Sequence, residues 1–286
     1  MPITIQAALL GVVQGLTEFL PVSSSAHLIL ARAFFGFDGD KFGLPFDVAC
    51  HVGTLIAVLI YFRGELARMV AALPRLFHPG PARTGRHAGE KSAAGFYARL
   101  IWLLVIGTIP AIVVGLLFND VIERRLRTPG VAAIALGVGA IGFFAAERIG
   151  EKRRDDESLT MAEAFWIGCA QAIALVPGVS RSGVTIMLAL FLGLRRAEAA
   201  RFIFLLAIPA IFAAAAHEAP KVLRAGMSGE TAMLFFIGVA TSAIVGYAAV
   251  KYFIRYLGRH SLDAFAWYRL ALAGAAAVWI YAVAAA

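Results

Sequence analysis

Six stretches of this sequence are long and apolar enough to cross a lipid bilayer, near residues 46–63, 98–118, 130–147, 199–217, 231–254 and 264–285. A crossing helix needs roughly 20 such residues. Lipid offers no hydrogen bonds, so each stretch satisfies its own backbone as a helix. The fold class is therefore an all-α integral membrane protein with six transmembrane helices. Hydrophobic content of 60%, charged content of 15% and a mean hydropathy of +0.80 fit no soluble globule.

Two further apolar stretches are too short to cross. Residues 3–20 stop at Pro21 and resume at 26–35, and residues 163–176 stop at Pro177 and resume at 183–194. At ~1.5 Å per residue, a helix of roughly 10 to 16 residues reaches about the midplane or somewhat beyond and must turn back. Each stretch reads as a re-entrant helix pair.

Charge sets the orientation. With residue 1 outside and the first pair returning outside, the cytoplasmic side receives Arg63, Arg68, Arg75, Arg83, Arg86, Lys91, Arg148, Lys152, Arg153, Arg154, Arg195, Arg196, Arg201, Lys251, Arg255 and Arg259. The opposite side receives Arg32, Lys41, Arg124, Arg125, Arg127, Lys221 and Arg224. Sixteen against seven is the asymmetry of the positive-inside rule, with both termini outside the cytoplasm. The net charge of +8 is thereby a matter of topology, because the basic residues flank apolar spans instead of forming a nucleic-acid-binding stripe.

Cys50 and Cys169, each in an apolar stretch, form neither a disulfide framework nor a metal spacing. The first twenty residues lack a basic leader segment and read as mature protein. Loop 78–95, rich in Gly, Pro and basic residues, reads as a flexible cytoplasmic connection.

The two interrupted stretches also resemble each other. Gly11-Val-Val-Gln14, Pro21 and Ser23-Ser24-Ser25 parallel Gly168-Cys-Ala-Gln171, Pro177 and Ser180-Arg181-Ser182, with one residue fewer before the second proline. Three crossings separate the copies, so the second enters from the opposite face. The result is one membrane domain over 1–286 in an inverted-topology repeat, repeat one at 1–147 and repeat two at 163–286, with broken helix ends near the midplane.

Chemistry-bearing residues gather at those breaks. Gln14 and Glu18 stand four apart on one helical face. A carboxylate at membrane depth needs a partner, a cavity or an ion, unless it lies near enough to the outer interface to reach water. Ser23, Ser24 and Ser25 precede a helix whose free N–H groups and dipole attract an anion. A serine there is commonly only an N-cap, but His27 close by adds a base to a nucleophile. Arg181, between Ser180 and Ser182, has a planar fork suited to phosphate oxygens; the competing reading is an ion pair with Glu18 across the repeat interface. A phosphate or pyrophosphate fits this inventory.

Weaker signals receive plainer expectations. Asp47 and His51 are expected to be solvated at the interface, with lining of the site entrance as the other reading, Glu198 to pair with Arg195 and Arg201 along one helix, and Gly137, Gly139 and Gly142 to serve tight helix packing. No P-loop, zinc motif or dinucleotide fingerprint occurs.

The segments Gln14-Gly-Leu-Thr-Glu18-Phe-Leu-Pro21-Val-Ser-Ser-Ser-Ala-His27 and Pro177-Gly-Val-Ser-Arg181-Ser-Gly-Val-Thr185 resemble the two signature motifs of the undecaprenyl-diphosphatase, or bacitracin-resistance, family. The resemblance continues through Phe118-Asn-Asp120-Val-Ile-Glu123, Phe204-Leu-Leu-Ala-Ile-Pro209 and Trp267-Tyr-Arg269. It implies a bacterial inner-membrane hydrolase that removes the terminal phosphate of undecaprenyl diphosphate, regenerating the lipid carrier for cell-wall synthesis at a periplasm-facing site. It also implies six crossings with two re-entrant pairs.

Residue by residue, the resemblance puts the acidic motif on Gln14 and Glu18, the nucleophile on Ser24, the histidine on His27 and the phosphate-binding arginine on Arg181. Ser180 and Thr185 match further hydroxyl positions, with Ser23, Ser25 and Ser182 as neighbouring phosphate ligands. It further implies a divalent cation, Mg2+ or Ca2+. Because Gln14 replaces a second carboxylate, that ion falls to Glu18 and substrate phosphates. The partners are the lipid substrate and the bilayer, with no nucleic acid; a homodimer stays open. The rival reading is a polyprenyl-phosphate transporter or flippase using the same crevice, since inverted repeats with broken helices also build carriers.

Overall fold

The computed structural model describes residues 1–39, 41–77, 90–225 and 228–285. Among these residues the chain forms eleven α-helices and no named strand: α1 Ile3–Phe19, α2 Ser24–Phe35, α3 Leu44–Tyr61, α4 Arg63–Ala72, α5 Glu90–Val121, α6 Pro129–Ile149, α7 Met161–Ile173, α8 Arg181–Phe191, α9 Arg196–Ala225, α10 Gly229–Leu257 and α11 Asp263–Ala285. Six of them are long and apolar enough to cross a membrane: Leu44–Tyr61, Ala93–Phe118, Pro129–Ile149, Arg196–Pro220, Gly229–Leu257 and Asp263–Ala285. They are the six that hydropathy selects. Their outward side chains, among them Ile134 and Ile141 of α6, Phe236 and Ile244 of α10 and Val278 of α11, are exposed and apolar, as a lipid-facing surface requires.

Local signals set the helix ends. Thr128 caps α6 by accepting from the Val131 N–H, with Pro129 at the first helical position. Thr160 and Glu163 form a reciprocal capping box at the start of α7. Gly36 closes α2 in the left-handed conformation, φ 62°. Helix α4 directly follows α3, and the connection expected over 78–95 is helical from Glu90, where α5 begins. Of the loop expected over 78–95, residues 78–89 lie outside the described residues.

The short helices α1 and α7 are each laid against a long one. Helix α1 packs on α10 and α7 on α5, while α6 packs on α11 and α3 on both α9 and α10. Glycines permit both of these approaches. A methyl on Gly11 would meet the Gly238 carbonyl at 2.8 Å, and one on Gly168 would sit 3.0 Å from Gly107 Cα. The glycines expected to serve this purpose in α6 do not. Gly137 faces open space, whereas Gly139 and Gly142 make room for the side chains of Arg269 and Met187. The largest apolar core gathers Phe19, Phe143, Phe202, Phe204 and Phe253, with Phe19 edge-on to Phe204 at 5.2 Å. It anchors the last residue of α1 directly before the break.

Buried ion pairs brace both ends of the bundle. Arg201 of α9 grips Glu65 of α4 and Asp156, and Arg196 grips Glu147 of α6, which also accepts from the Leu262 N–H at 2.8 Å. Arg195 pairs with Asp155. Both arginines thus hold carboxylates beyond the Glu198 expected along their own helix. A buried guanidinium such as that of Arg201 needs acceptors at hydrogen-bonding distance, and carboxylates make the stronger, charge-assisted ones, whereas an i,i+3 surface pair contributes only about 0.2–0.5 kcal/mol. At the other end Asp47 is 3% exposed instead of solvated. Arg32 holds both its oxygens at 2.7 and 3.0 Å, and Arg127 adds a contact at 2.6 Å, fastening the end of α2 and the α5–α6 connection to the start of α3.

Candidate active site

Both breaks resolve into turns of one shape. Ser23 has φ 72° and ψ 95°, and Ser180 has φ 73° and ψ 114°. Non-glycine residues at positive φ are uncommon and concentrate at functional sites. Each serine caps the helix that follows: Ser23 Oγ accepts from the Ala26 N–H at 3.4 Å and Ser180 Oγ from the Gly183 N–H at 3.1 Å. The next hydroxyl but one lies near in both turns, with Ser23 and Ser25 Oγ 3.2 Å apart and Ser180 and Ser182 Oγ 3.3 Å apart. Ser24 and Arg181 are thus equivalent, each the first residue of its helix.

The two turns meet. The Gly178 N–H donates to Ser25 Oγ at 3.4 Å, and Ser182 Oγ donates to the Leu20 carbonyl at 3.1 Å. Between them stands Glu18, 6% exposed. Its Oε2 accepts from Ser24 Oγ at 2.7 Å and Gln14 Nε2 at 2.7 Å, with His51 Nε2 at 3.3 Å, while Oε1 accepts from Arg181. One carboxylate is therefore shared by the leading residue of each turn. A cavity of about 320 Å³ opens beside it, lined on its polar side by Glu18, Ser23, Ser24, Ser25, Ser180 and Arg181. Ile112, Gly115 and Leu116 of α5 and Ile211 and Ala214 of α9 give it an apolar stretch of wall, and His51, Glu123, Arg127, His217 and Glu218 also line it.

The other expected site residues lie behind or beside the cavity. Gln14 is fully buried behind Glu18, Ser182 is turned to Leu20, and Thr185 Oγ1 donates back to the Arg181 carbonyl at 2.6 Å. His27 has Nδ1 2.7 Å from the Ser23 carbonyl oxygen and Nε2 2.8 Å from the Tyr268 hydroxyl. Its hydrogen bonds go there and not to Ser24. The imidazole that does meet Glu18 belongs to His51, whose Nδ1 is 2.7 Å from the Asp47 carbonyl oxygen. Its signal in the sequence is a histidine one turn inside an apolar crossing, four residues after an acid; of the two readings given there, lining the site describes it and interfacial solvation does not.

For a divalent cation the donor set is sparse but compatible. Among the described residues no three His, Cys, Asp or Glu side chains cluster. Glu18 is one carboxylate, and beside it the buried Gln14 Oε1 has no hydrogen-bond partner. Magnesium commonly uses one or two carboxylates and fills the remaining positions with substrate phosphates and water.

Fold and site together define a multi-pass helical membrane protein in which hydroxyls, a carboxylate and an arginine share one cavity. The sequence pattern of the family described as "Bacitracin resistance protein BacA" matches residues 7–275. A protein of Rubrobacter xylanophilus named "Undecaprenyl-diphosphatase" is 49% identical over 269 residues, covering 94% of this chain and 95% of its own. Proteins of the same name from Mycolicibacterium vanbaalenii and Geotalea daltonii are 45% identical over 272 residues (94% of this chain, 93% of theirs) and 42% identical over 276 residues (96% and 97%). The chain belongs to the bacitracin-resistance protein family.

Proposed function

We propose that this membrane enzyme hydrolyses undecaprenyl diphosphate to undecaprenyl phosphate and inorganic phosphate in the bacterial inner membrane. The observation that carries the reading is the Glu18 carboxylate shared by Ser24 and Arg181 at the cavity, in a chain whose near-full-length relatives bear that enzyme's name. The apolar wall between α5 and α9 suits a prenyl tail, and the serine end suits the diphosphate.

In the reaction Arg181 exchanges Glu18 for phosphate oxygens, helped by Ser25, Ser180 and the free N–H groups at the starts of α2 and α8. Ser24 Oγ attacks the terminal phosphorus. Its proton passes to Glu18, to which the hydroxyl already donates at 2.7 Å. The bond from phosphorus to the bridging oxygen breaks, undecaprenyl phosphate leaves, and water then releases inorganic phosphate from Ser24. His51 supports the Glu18 carboxylate. His27 orders the Ser23 turn through its carbonyl, a positioning part in place of the base expected from its nearness to the serines. Gln14, Ser182 and Thr185 hold the turns from behind. Glu18 and the Gln14 carbonyl oxygen would hold a Mg2+ or Ca2+ ion once Arg181 has turned to the phosphates, and that ion supplies charge neutralisation.

The chain is one membrane domain built as an inverted repeat of 1–147 and 163–286, each opening with a re-entrant pair. Supporting this are the matched turns, the equal spacing of nine residues from Gln14 to Ser23 and from Gln171 to Ser180, and the crossed docking of α1 on α10 and α7 on α5. The basic-residue asymmetry supports periplasmic termini and a periplasm-facing site.

Purified protein in proteoliposomes with undecaprenyl diphosphate tests the reading. Release of phosphate with formation of the monophosphate lipid is expected from wild type, and a loss of at least about 100-fold from Ser24→Ala. Lipid translocation without any phosphate release would favour a carrier.

A further inference from the structure

Helix α11 contains an arginine that the proposed chemistry leaves idle. Arg269 is fully buried within a helix of crossing length and does not line the cavity. A charge there is costly without partners, yet among the described residues its hydrogen bonds go to main-chain carbonyls and none to a carboxylate. A guanidinium has five N–H donors, and five carbonyls receive them. Nη1 donates to Pro21 at 3.2 Å and Val179 at 3.1 Å, Nη2 to Gly178 at 2.9 Å and Ala135 at 3.0 Å, and Nε to Leu136 at 3.2 Å. The Phe143 ring lies 5.3 Å from Cζ.

Three of these carbonyls belong to the residues just before Ser23 and Ser180, and the other two belong to α6. The breaks necessarily leave carbonyls that no helix satisfies. Separate waters or hydroxyls would satisfy them singly. One rigid planar fork does something else: it ties both turns to each other and to α6. Ser24 and Arg181, which open the helices after those turns, thereby inherit a fixed separation across Glu18. Gly139 leaves the space for this fork, since a methyl there would collide with the guanidinium.

Resting on the hydrolase reading above, the geometry points to Arg269 as a positioning residue that sets the spacing between the two serine turns and so the alignment of Ser24 with Arg181. A misplacement of about 1 Å costs on the order of 100-fold in rate. Lysine, with three donors at one point, cannot span both turns.

The test compares phosphate release, thermal unfolding and the separate kcat and KM of wild type, Arg269→Lys and Gly139→Ala, and repeats Arg269→Lys in a Ser24→Ala background. Per folded molecule, kcat is expected to fall on the order of 30- to 100-fold in Arg269→Lys, and by more than KM rises. In the Ser24→Ala background the effect should shrink to about threefold or less, because there is no longer a nucleophile to align. Gly139→Ala should lower kcat in the same sense while leaving every donor in place. The inference is overturned if either folded variant keeps the wild-type kcat, if the Arg269 and Ser24 effects multiply in full, or if neither Arg269→Lys nor Gly139→Ala folds, which would leave Arg269 a folding residue alone. A wild type that released no phosphate would instead overturn the hydrolase reading, a result distinct from these.

Discussion

Replacing Glu18 by Gln removes one charge and keeps the shape of the side chain, so it isolates what the shared carboxylate does. In the native site Glu18 accepts from Ser24, Gln14 and Arg181, with the His51 ring at 3.3 Å. An amide has one oxygen for these donors, and its NH2 group must confront one of them. Loss of a positioned base lowers rates by about 100- to 10,000-fold, which is about 3–5 kcal/mol at ~1.4 kcal/mol per tenfold. The stability cost is smaller. Breaking a fully buried pair costs about 3–5 kcal/mol, but the Arg181 side chain is 20% exposed and can turn into the cavity, so about 1–2 kcal/mol is expected. Saturating phosphate-release kinetics and a thermal melt on the same detergent-purified sample separate the two effects. A Glu18→Gln protein within tenfold of the wild-type kcat would refute the assignment of Glu18 as proton acceptor.

Asp47→Asn leaves Arg32 and Arg127 without their charge partner in a buried corner; a loss of about 3 kcal/mol and a fall in Tm on the order of 5–10 °C are expected, and an unchanged melt contradicts the clamp. Gly11→Ala should destabilise by over ~1 kcal/mol because its methyl meets the α10 backbone, whereas Gly137→Ala, facing open space, should be neutral or add about 0.5–1 kcal/mol. Equal melts for the two would contradict the close contact of α1 with α10. Chelation of divalent cations should lower phosphate release at least about tenfold, with recovery on adding magnesium; full activity in chelator would remove the ion from Glu18.

The six crossings and the two breaks were legible because hydropathy and proline act locally, within one helix length. Ser24, Glu18 and Arg181 were legible as site residues because polar groups at membrane depth are costly enough to require a reason. That Ser24 and Arg181 share Glu18 was not legible: the Arg181–Glu18 contact joins residues far apart in sequence, and the alternatives of ligand binding and an ion pair both fitted the side chain. The sequence leaves His51 between the site entrance and interfacial water because an i,i+4 pair near a helix start looks the same whether it faces water or a neighbouring helix. The choice between His27 and Glu18 as partner of Ser24 likewise depends on side-chain direction, since Ser24 and His27 lie on one helix yet hydrogen-bond to different groups. The glycines of α6 misled for a related reason, because room for the Arg269 side chain and room for another backbone leave the same mark in a sequence.

In the proposed reaction the two serine turns cooperate on one diphosphate, the first turn cutting it and the second holding it. Phosphate release from undecaprenyl diphosphate by purified wild type and by Arg181→Ala measures this most directly. The wild type is predicted to release phosphate, and the variant to lose at least about 100-fold in kcat/KM. A folded Arg181→Ala protein with the wild-type rate would contradict it.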